Sequence, residues 1–288
     1  VVAGFRRDDL FTVVLEHFMT DTADLADYVL PATTQLEHLD VHTSYGHTWA
    51  LINEPAIAPL GEARPNTQIF RDLAAHMGYT EPCFQDSDET LARTAFGPEI
   101  PFDTLRAQGW VKLPLADAPL AEGGFLTPSG KCVIDSPQFG VPDHVPNHES
   151  AASTPELAQR YPLAMISPPA RNFLNSTFVN VTSLRDIEAE PVLEMHADDA
   201  AARGIASGAT VRVFNDRGVY VCVARVSERA RPGVVNGLGI WWRKLGLMGT
   251  NVNELTHQRL TDIGRAPSFY DCLVQVALAP APVANAHP

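Results

Sequence analysis

A group of hydrogen-bonding side chains lies directly after a short apolar run at residues 163–166. Residues 167–178 supply hydroxyls, amides and a guanidinium, which are the groups that bind the edges of heterocycles and the oxygens of phosphates. We therefore expect a ligand-binding loop at the end of a strand. Its candidate contacts are Ser167, Arg171, Asn172, Asn175, Ser176 and Thr177.

A second group of polar side chains covers residues 16–22 and follows an apolar run at residues 11–15. The run is typical of a buried parallel strand, and a short helix over residues 23–26 and a strand over residues 28–30 complete a βαβ unit. Ligands of such sheets lie beyond the carboxyl ends of the strands. An ordinary capped loop explains the same residues equally well. The candidate contacts are Glu16, His17, Thr20 and Thr22.

Three further patterns suggest metal or phosphate chemistry but fit it poorly. Residues 37–47 contain three histidines, yet no known ligand spacing fits them and the helix that would align them is poorly supported. Residues 124–131 resemble a phosphate-binding loop, but the glycines are wrongly spaced and Cys132 occupies a position that requires a hydroxyl. The four cysteines include no C-x-x-C pair, which argues against a zinc ribbon or an iron–sulfur cluster.

The composition describes a globular protein with room for two domains. A chain of 288 residues can bury two cores, and 45% hydrophobic with 19% charged residues is typical of a soluble fold. No apolar run approaches the length of a transmembrane helix. The net charge of -13 argues against a nucleic-acid surface, but it does not exclude an anionic ligand, because the local field of a pocket can oppose the net charge.

The architecture of the C-terminal half is predicted by residues 194–235. His196 can cap a short helix that Gly204 ends. Residues 210–214 and 219–223 alternate between apolar and polar positions around a turn. A hairpin with one apolar side cannot bury itself alone, so it implies a small barrel or sandwich. Further strands of this half are predicted at residues 163–166 and 269–276.

A helix in the N-terminal half is predicted at residues 66–78. Asn66 is its expected cap and Gly78 its expected end. An apolar stripe at helical spacing predicts that one face of this helix is core rather than part of a cofactor site. The stripe consists of Ile69, Phe70, Leu73, Ala74 and Met77, and a second helix is predicted over residues 88–95.

Several segments, taken together, carry a resemblance to a known family. They are residues 20–32 with Glu37, 59–78, 125–131, 199–233, 253–256 and 267–269. Their order over nearly the whole chain resembles the C-terminal part of the dimethyl sulfoxide reductase family of molybdenum or tungsten oxidoreductases. Formate dehydrogenases, nitrate reductases and thiosulfate or polysulfide reductases belong to this family.

The resemblance implies a specific architecture. Residues 1–110 would be a remnant of the α/β, Rossmann-like molybdopterin-binding domains, and residues 111–158 an irregular segment and a linker. Residues 159–280 would form an all-β domain, the six-stranded double-psi barrel that binds molybdopterin dinucleotide. Residues 281–288 would be a disordered tail.

The resemblance also implies a bis(molybdopterin guanine dinucleotide) cofactor that carries Mo or W. By position, the loop after the first barrel strand would face the pterins, and residues 16–22 would line the dinucleotide crevice. Asn253 matches the pterin-side asparagine of the family, and Phe269 and Tyr270 complete the implied contacts. Many members have Lys in place of Tyr270, and Gly-Arg in place of Gly46-His47.

The implied function is to hold this cofactor for the two-electron redox chemistry of a small-molecule substrate at the metal. The chain contains no catalytic residue or metal ligand that can be named. The metal ligand, and any iron–sulfur cluster, would lie upstream, so the isolated chain is expected to be inactive.

Expected partners are the upstream half of the same enzyme and an electron-transfer subunit, without nucleic acid or a membrane span. The cytoplasm is the expected compartment, with the periplasm as the alternative. The alternative function is a stand-alone barrel that serves binding or assembly without catalysis.

Overall fold

A computed structural model describes residues 1–136, 138, 140–141 and 143–280. Two compact units divide the chain, Val1–Ile134 and Asp135–Pro288. The predicted disordered tail at residues 281–288 lies outside the described residues, as do Pro137 and Pro142 of the predicted linker.

The first unit combines short strands with helices. Its described strands are β1 (Val13–Glu16), β2 (Tyr28–Pro31), β3 (Asp40–Ser44), β4 (His47–Asn53) and β5 (Trp110–Lys112). Its described α-helices are α1 (Val2–Phe5), α2 (Asn66–His76), α3 (Asp88–Ala95) and α4 (Phe102–Gln108), with 3₁₀ turns at Ala23–Leu25 and Pro82–Gln85.

The strand–helix–strand order predicted near the N-terminus is present in a short form. β1 and β2 pair in parallel from Val13↔Tyr28 to Glu16↔Pro31, and the Ala23–Leu25 turn connects them. The carboxyl ends of both strands therefore lie side by side. This arrangement places residues 16–22 directly beyond the end of β1.

The histidine-containing segment is a β-hairpin. β3 pairs with β4 in antiparallel register, and β4 pairs with β5 on its other side. The buried side chains of Ala50, Ile100 and Leu105 form the core beneath this small sheet. Because His42 lies within a strand, it shares no helical face with His38.

Helix α2 departs from its prediction in two ways. Asn66 is its first residue rather than its cap, and the N-cap residue is Pro65, which offers no side-chain hydrogen bond. The apolar stripe was predicted to be core, and this is wrong for most of its length. Phe70 is 57% exposed, Leu73 49% and Met77 57%. The parallel pair in front of the helix has only two short strands, which are too few to cover the stripe.

An open apolar cleft of about 930 Å³ lies between this helix and the parallel strands. Val13, Leu15 and Tyr28 line one wall, and Ile69 and Leu73 line the other. Helix α3, by contrast, has the predicted bounds, and the hydroxyl of Ser87 caps it by accepting from the Thr90 N–H at 3.1 Å.

The second unit is built around a closed barrel. The barrel strands are β6 (Leu163–Ile166), β7 (Val192–Met195), β8 (Thr210–Phe214), β9 (Val219–Val226), β10 (Val234–Leu238) and β11 (Cys272–Leu278). The described helices of this unit are α5 (Pro155–Arg160), α6 (Thr182–Glu188) and α7 (Ala197–Ala201), with 3₁₀ turns at Arg243–Leu245, Leu247–Gly249 and Val252–Glu254.

The six strands follow the order β10-β6-β11-β8-β9-β7 and close between β7 and β10. β6 with β10 and β7 with β9 are parallel pairs, whereas the other neighbours are antiparallel. Val211 and Val213 point into the barrel and are fully buried, whereas Arg212 between them is exposed. The alternation in the sequence therefore identifies the side chains that face the barrel interior, and the predicted barrel is confirmed.

Two local predictions in the barrel have different outcomes. His196 caps α7 by accepting from the Asp198 N–H at 3.2 Å, and Gly204 follows with a φ of +63°, as predicted. The last strand begins at Cys272 rather than at Phe269, so its predicted start is wrong. The neighbouring strand β6 ends at Ile166, so no residue of that strand lies opposite Phe269 to pair with its backbone.

Candidate functional site

The polar loop of residues 167–178 is held in place by its apolar members. The side chains of Ala170 and Phe173 are buried with Val179 and Trp241 in a small cluster outside the barrel interior. The rings of Phe173 and Trp241 meet edge to face, with 5.2 Å between their centroids. The loop therefore has a fixed apolar side, whereas most of its polar side chains are exposed.

The tip of this loop is a tight turn. Leu174 and Thr177 form a two-way backbone bridge, with N···O distances of 3.2 and 2.9 Å. Asn175, at the tip, has a φ of +53°, in the left-handed region that Asn adopts more readily than most residues. Asn175, Ser176 and Thr177 are all exposed.

The segment after β10 supports the loop from below. The Trp242 indole N–H donates to the Ser176 carbonyl at 2.8 Å, and the Gly239 N–H donates to the Pro168 carbonyl at 2.9 Å. A Cβ atom at Gly239 would lie 3.0 Å from the Cβ of Ala170, so the two backbones approach closely. Sequence reasoning did not find these supports, because they lie more than sixty residues beyond the loop in the chain.

The predicted contacts of this loop fall into two groups. Ser167 is buried and its hydroxyl donates to the Phe269 carbonyl at 3.4 Å, which joins the loop to the segment before β11. Asn172 donates its backbone N–H and its side-chain amide to Glu188 of α6, both at 2.8 Å. Arg171, in contrast, is exposed and forms no hydrogen bond or ion pair within the described chain. It is therefore available to a ligand together with the exposed tip.

Asn253 lies in a 3₁₀ turn that a capping box stabilises. Asn251 Oδ1 accepts from the Asn253 N–H at 2.8 Å, and Glu254 Oε1 accepts from the Asn251 N–H at 3.1 Å. The Asn251 side chain also donates to the Trp241 carbonyl, so the turn is tied to the support of the loop. The Asn-x-x-Glu spacing is a visible sequence signal that was missed. Asn253 itself presents an exposed side chain.

Phe269 and Tyr270 lie in the segment before β11 and remain partly exposed. Their rings meet edge to face, with 4.6 Å between the centroids. The bond between Ser167 and Phe269 places both aromatic residues at the barrel end where the polar loop begins. In the second unit, the structure therefore brings the loop and the aromatic pair together at one end of the barrel.

The candidates of the first unit occupy the loop after β1. Glu16 accepts from the His17 N–H at 2.7 Å, and the His17 ring lies 3.0 Å from the Thr33 carbonyl, beyond the end of β2. The Thr20 hydroxyl accepts from the Ala23 N–H at 3.2 Å, although the N-cap residue of the following 3₁₀ turn is Thr22. Thr22 is exposed. These bonds hold the loop across the carboxyl ends of the parallel pair.

A buried carboxylate behind that loop was missed as a structural element. Glu37 accepts from the Thr34 N–H and hydroxyl at 2.8 and 2.9 Å and from the Leu60 N–H at 2.7 Å. These donors favour the charged form, with the Thr34 N–H the largest contributor, and hold the pKa of Glu37 below its ordinary value. Glu37 therefore fixes the two segments that follow β2.

Two family models match the chain over these two regions. The model described as "Molydopterin dinucleotide binding domain" matches residues 163–273, which contain the barrel and its polar loop. The model described as "Molybdopterin oxidoreductase" matches residues 1–76. The chain belongs to the molybdopterin oxidoreductase family. The family match at both ends does not favour a stand-alone barrel module.

Relatives extend the family assignment along the chain. The chain is 38% identical to "Probable oxidoreductase YoaE" of Bacillus subtilis over 283 residues, which is 95% of this chain and 41% of the relative. It is 34% identical to the "Dimethyl sulfoxide/trimethylamine N-oxide reductase" of Rhodobacter capsulatus over 264 residues, 79% of this chain and 32% of the relative. The chain thus spans well under half the length of these curated relatives.

A solved structure supports the fold. "Acetylene Hydratase from Pelobacter acetylenicus" superposes with a TM-score of 0.80 at 24% identity and covers 93% of this chain and 40% of that chain. In the part of the chain that the structure describes, no helix has the length and apolar character needed to cross a bilayer. No group of three or more His, Cys, Asp or Glu residues with metal-binding geometry occurs there either.

The exposed donors of the second unit fit a molybdopterin-type cofactor. A pterin presents donors and acceptors along its edges, which match the amide of Asn175 and the hydroxyls of Ser176 and Thr177. Its phosphates are anionic and match the guanidinium of Arg171, which can bind two oxygens at once. A loop that is rigid on its apolar side and unsatisfied on its polar side is suited to a ligand of this kind.

Proposed function

We propose that this chain is the cofactor-binding portion of a molybdopterin-dependent oxidoreductase and holds bis(molybdopterin guanine dinucleotide) for the two-electron redox of a small substrate at Mo or W. The observation that carries the proposal is the exposed polar face of residues 167–178 at the end of the barrel. That face lies within the segment that resembles a dinucleotide-binding domain. When bound, the metal of the cofactor supplies the redox chemistry.

The residues of the polar loop have distinct roles in this proposal. Arg171 binds phosphate oxygens, and the tip formed by Asn175, Ser176 and Thr177 binds the edge of a pterin. These contacts would pair polar atoms of the cofactor that become buried on binding, which limits the desolvation cost. Asn172 is a positioning residue, because its amide is already committed to Glu188.

Asn253, Phe269 and Tyr270 complete the contacts on the barrel side. Asn253 has an exposed amide on a rigid turn, and the aromatic pair offers apolar faces for a flat heterocycle. Ser167 positions the aromatic pair through its bond to the Phe269 carbonyl.

The same proposal assigns the finer fold classes. The two parallel strand pairs that interrupt an otherwise antiparallel ladder support a double-psi barrel. The parallel pair of β1 and β2 supports a Rossmann-like remnant. In that remnant, a dinucleotide lies beyond the strand ends. Its contacts there are Glu16, His17, Thr20 and Thr22.

The remaining parts of the proposal concern partners. The metal ligand and any iron–sulfur cluster are supplied by the upstream half of the same enzyme, and an electron-transfer subunit completes the redox path. The length of the relatives, of which this chain matches 41% and 32%, supports such an arrangement. The cytoplasm is the proposed compartment.

A binding experiment on the 288-residue chain tests the proposal. Molybdopterin guanine dinucleotide, kept anaerobic, is titrated into the chain and followed by its fluorescence. Arg171→Ala should weaken binding about 10- to 100-fold, because a charge-assisted pair of hydrogen bonds is lost. Arg229→Ala, which removes an exposed arginine elsewhere in the same unit, is the matched control. Equal affinities for the two variants, or no binding by the wild type, would overturn the proposal.

A further inference from the structure

The turn that carries Asn253 is anchored in the barrel core on both sides of that residue. The side chains of Val252 and Leu255 are buried among the apolar side chains of the barrel core. β10 leaves space for Val252 at Gly237, where a Cβ atom would lie 3.2 Å from the valine Cγ2. The exposed side chain of Asn253 therefore belongs to a segment whose two ends are fixed in the core.

The turn between β8 and β9, at residues 215–218, binds the end of this segment. The side-chain amide of Asn215 donates to the Leu255 carbonyl at 2.9 Å, and the Arg217 Nε–H donates to the same oxygen at 2.8 Å. A carbonyl oxygen has two lone pairs, so both are used here. The end of the Val252–Glu254 turn is therefore tied to the β8–β9 turn by two hydrogen bonds.

Asn215 also ties the β8–β9 turn to the barrel strand β11. Its amide donates to the Leu273 carbonyl at 3.2 Å, and its Oδ1 atom accepts from the Arg217 N–H at 3.0 Å. The side chain therefore uses its amide nitrogen as a donor to two carbonyls and its oxygen as an acceptor. An aspartate of the same shape has acceptors only and would face both carbonyl oxygens without a donor. The position thus requires an amide, and not only a side chain of this size.

Gly218 lets the two turns approach each other closely. A Cβ atom at this position would lie 2.9 Å from the Glu254 carbonyl oxygen and 3.1 Å from the Glu254 Cβ. Gly218 does not have a positive φ, so its backbone conformation is open to other residues. What the position uses is the missing side chain, because any Cβ would push the β8–β9 turn away from the backbone next to Asn253.

We propose that the β8–β9 turn positions Asn253 for cofactor binding, with Asn215 and Gly218 as positioning residues that do not touch the cofactor. Asn215 fixes the Leu255 carbonyl relative to β11, and Gly218 allows the contact with the Glu254 backbone. A contact residue on a fixed segment loses less conformational entropy when it binds its ligand. The inference rests on the proposed function, in which Asn253 is a cofactor contact. A turn that served only the packing of the barrel would stabilise the fold without energetic coupling to Asn253.

A double-mutant cycle in cofactor binding tests this coupling. Molybdopterin guanine dinucleotide is titrated anaerobically into the 288-residue chain as wild type, Gly218→Ala, Asn253→Ala and the double variant, and binding is followed by fluorescence. Gly218→Ala should weaken binding about 3- to 10-fold when Asn253 is present, because the displaced turn no longer holds the amide in place. In the Asn253→Ala background the same change should alter the affinity by less than about twofold. Equal factors in the two backgrounds would overturn the inference.

Two further variants separate positioning from loss of the fold. Asn215→Asp perturbs the same turn through its hydrogen bonds and should show the same dependence on Asn253, so it replaces Gly218→Ala if that variant does not fold. Gly264→Ala is the matched control, because Gly264 also lacks a positive φ and its added Cβ would meet only the Thr261 hydroxyl, at 3.8 Å. This control should bind like wild type. Thermal melts establish that each variant is folded at the temperature of the titration.

Hydrogen exchange tests the contact between the two turns without cofactor. The N–H groups of Asn253, Glu254 and Leu255 all donate within their own turn. They should exchange faster in Gly218→Ala and Asn215→Asp than in wild type and Gly264→Ala. Unchanged exchange would overturn the role of the β8–β9 turn.

The outcomes distinguish this inference from the proposed function. A wild-type chain that binds no cofactor overturns the proposed function and the positioning role with it. Binding by wild type together with an additive cycle overturns only the positioning role.

Discussion

Arg217 and Glu149 are 68 positions apart in the chain and are joined by two parallel hydrogen bonds of 2.5 and 2.9 Å. Burial alone would raise the pKa of this carboxyl group, but the bonds from Arg217 and the Leu273 N–H outweigh it and hold the pKa of Glu149 below its ordinary value. The pair anchors the segment before α5 to the barrel. The lowered pKa also makes the stability of this unit depend on pH.

Replacing Glu149 by Gln should lower the free energy of unfolding at neutral pH by about 2 kcal/mol, because hydrogen bonds to a charged group are lost. A lowered pKa means that the carboxylate contributes stability above the ordinary pKa of Glu and loses it as the pH falls through the lowered value. Urea unfolding over a pH series should show wild type and variant converging on acidification. Glu156→Gln, at an exposed glutamate of α5, should give a curve parallel to wild type throughout.

The close approach at Gly239 gives a second prediction. Gly239→Ala should destabilise the chain by about 1–3 kcal/mol, from the left-handed backbone together with the contact to the Ala170 Cβ. Gly204→Ala has a similar positive φ but open space around its Cβ, so it reports the backbone cost alone. Urea unfolding of both variants should show the larger loss at Gly239. Equal losses would mean that the loop yields to the added methyl group.

The apolar anchor of the polar loop can be tested without touching any polar side chain. Phe173→Ala should cost about 3–5 kcal/mol, because a buried aromatic ring is removed from the cluster with Trp241. It should also weaken cofactor binding, since the tip at Asn175 loses its fixed position. Ile187→Ala, at an exposed position of α6, should change stability by less than about 0.5 kcal/mol. Unchanged binding by a folded Phe173→Ala protein would contradict the anchoring role.

Two neighbouring asparagines should separate into structural and binding residues. Asn251→Ala should cost about 1 kcal/mol of stability, because the capping box is lost. Asn253→Ala should leave stability within about 0.5 kcal/mol and weaken binding of molybdopterin guanine dinucleotide, because its exposed amide makes no bond within the described chain. Thermal melts and the fluorescence titration measure the two effects. The reverse pattern would remove Asn253 from the proposed contacts.

Local patterns predicted much of the fold. The alternation of Val211 and Val213 with Arg212 reports the barrel interior, because a strand of a small barrel has one buried and one exposed face. The apolar stripe on α2 led to a wrong prediction of burial. Its spacing shows that Leu73 and Phe70 share one face of the helix, but spacing does not show whether another element covers that face.

The candidate site was less predictable than the fold. The sequence shows which side chains of residues 167–178 are polar. It does not show which of them already form hydrogen bonds within the protein. Asn172 is bound by Glu188, whereas Arg171 has no partner among the described residues. The supports at Gly239 and Trp242, and the bonds of Asn215, depend on the barrel bringing distant segments together.

The parallel pairing of β6 with β10 bears on the rate at which this protein folds. Ala164 lies opposite Val234, so the chain must close a loop of about seventy residues before this contact forms. Topologies dominated by such distant contacts fold slowly. The loop of residues 167–178 cannot reach its final shape until Trp241 and Trp242 have been synthesised and docked beneath it. The surface that would receive a cofactor is therefore completed late, and its maturation should lag behind the first collapse of the chain.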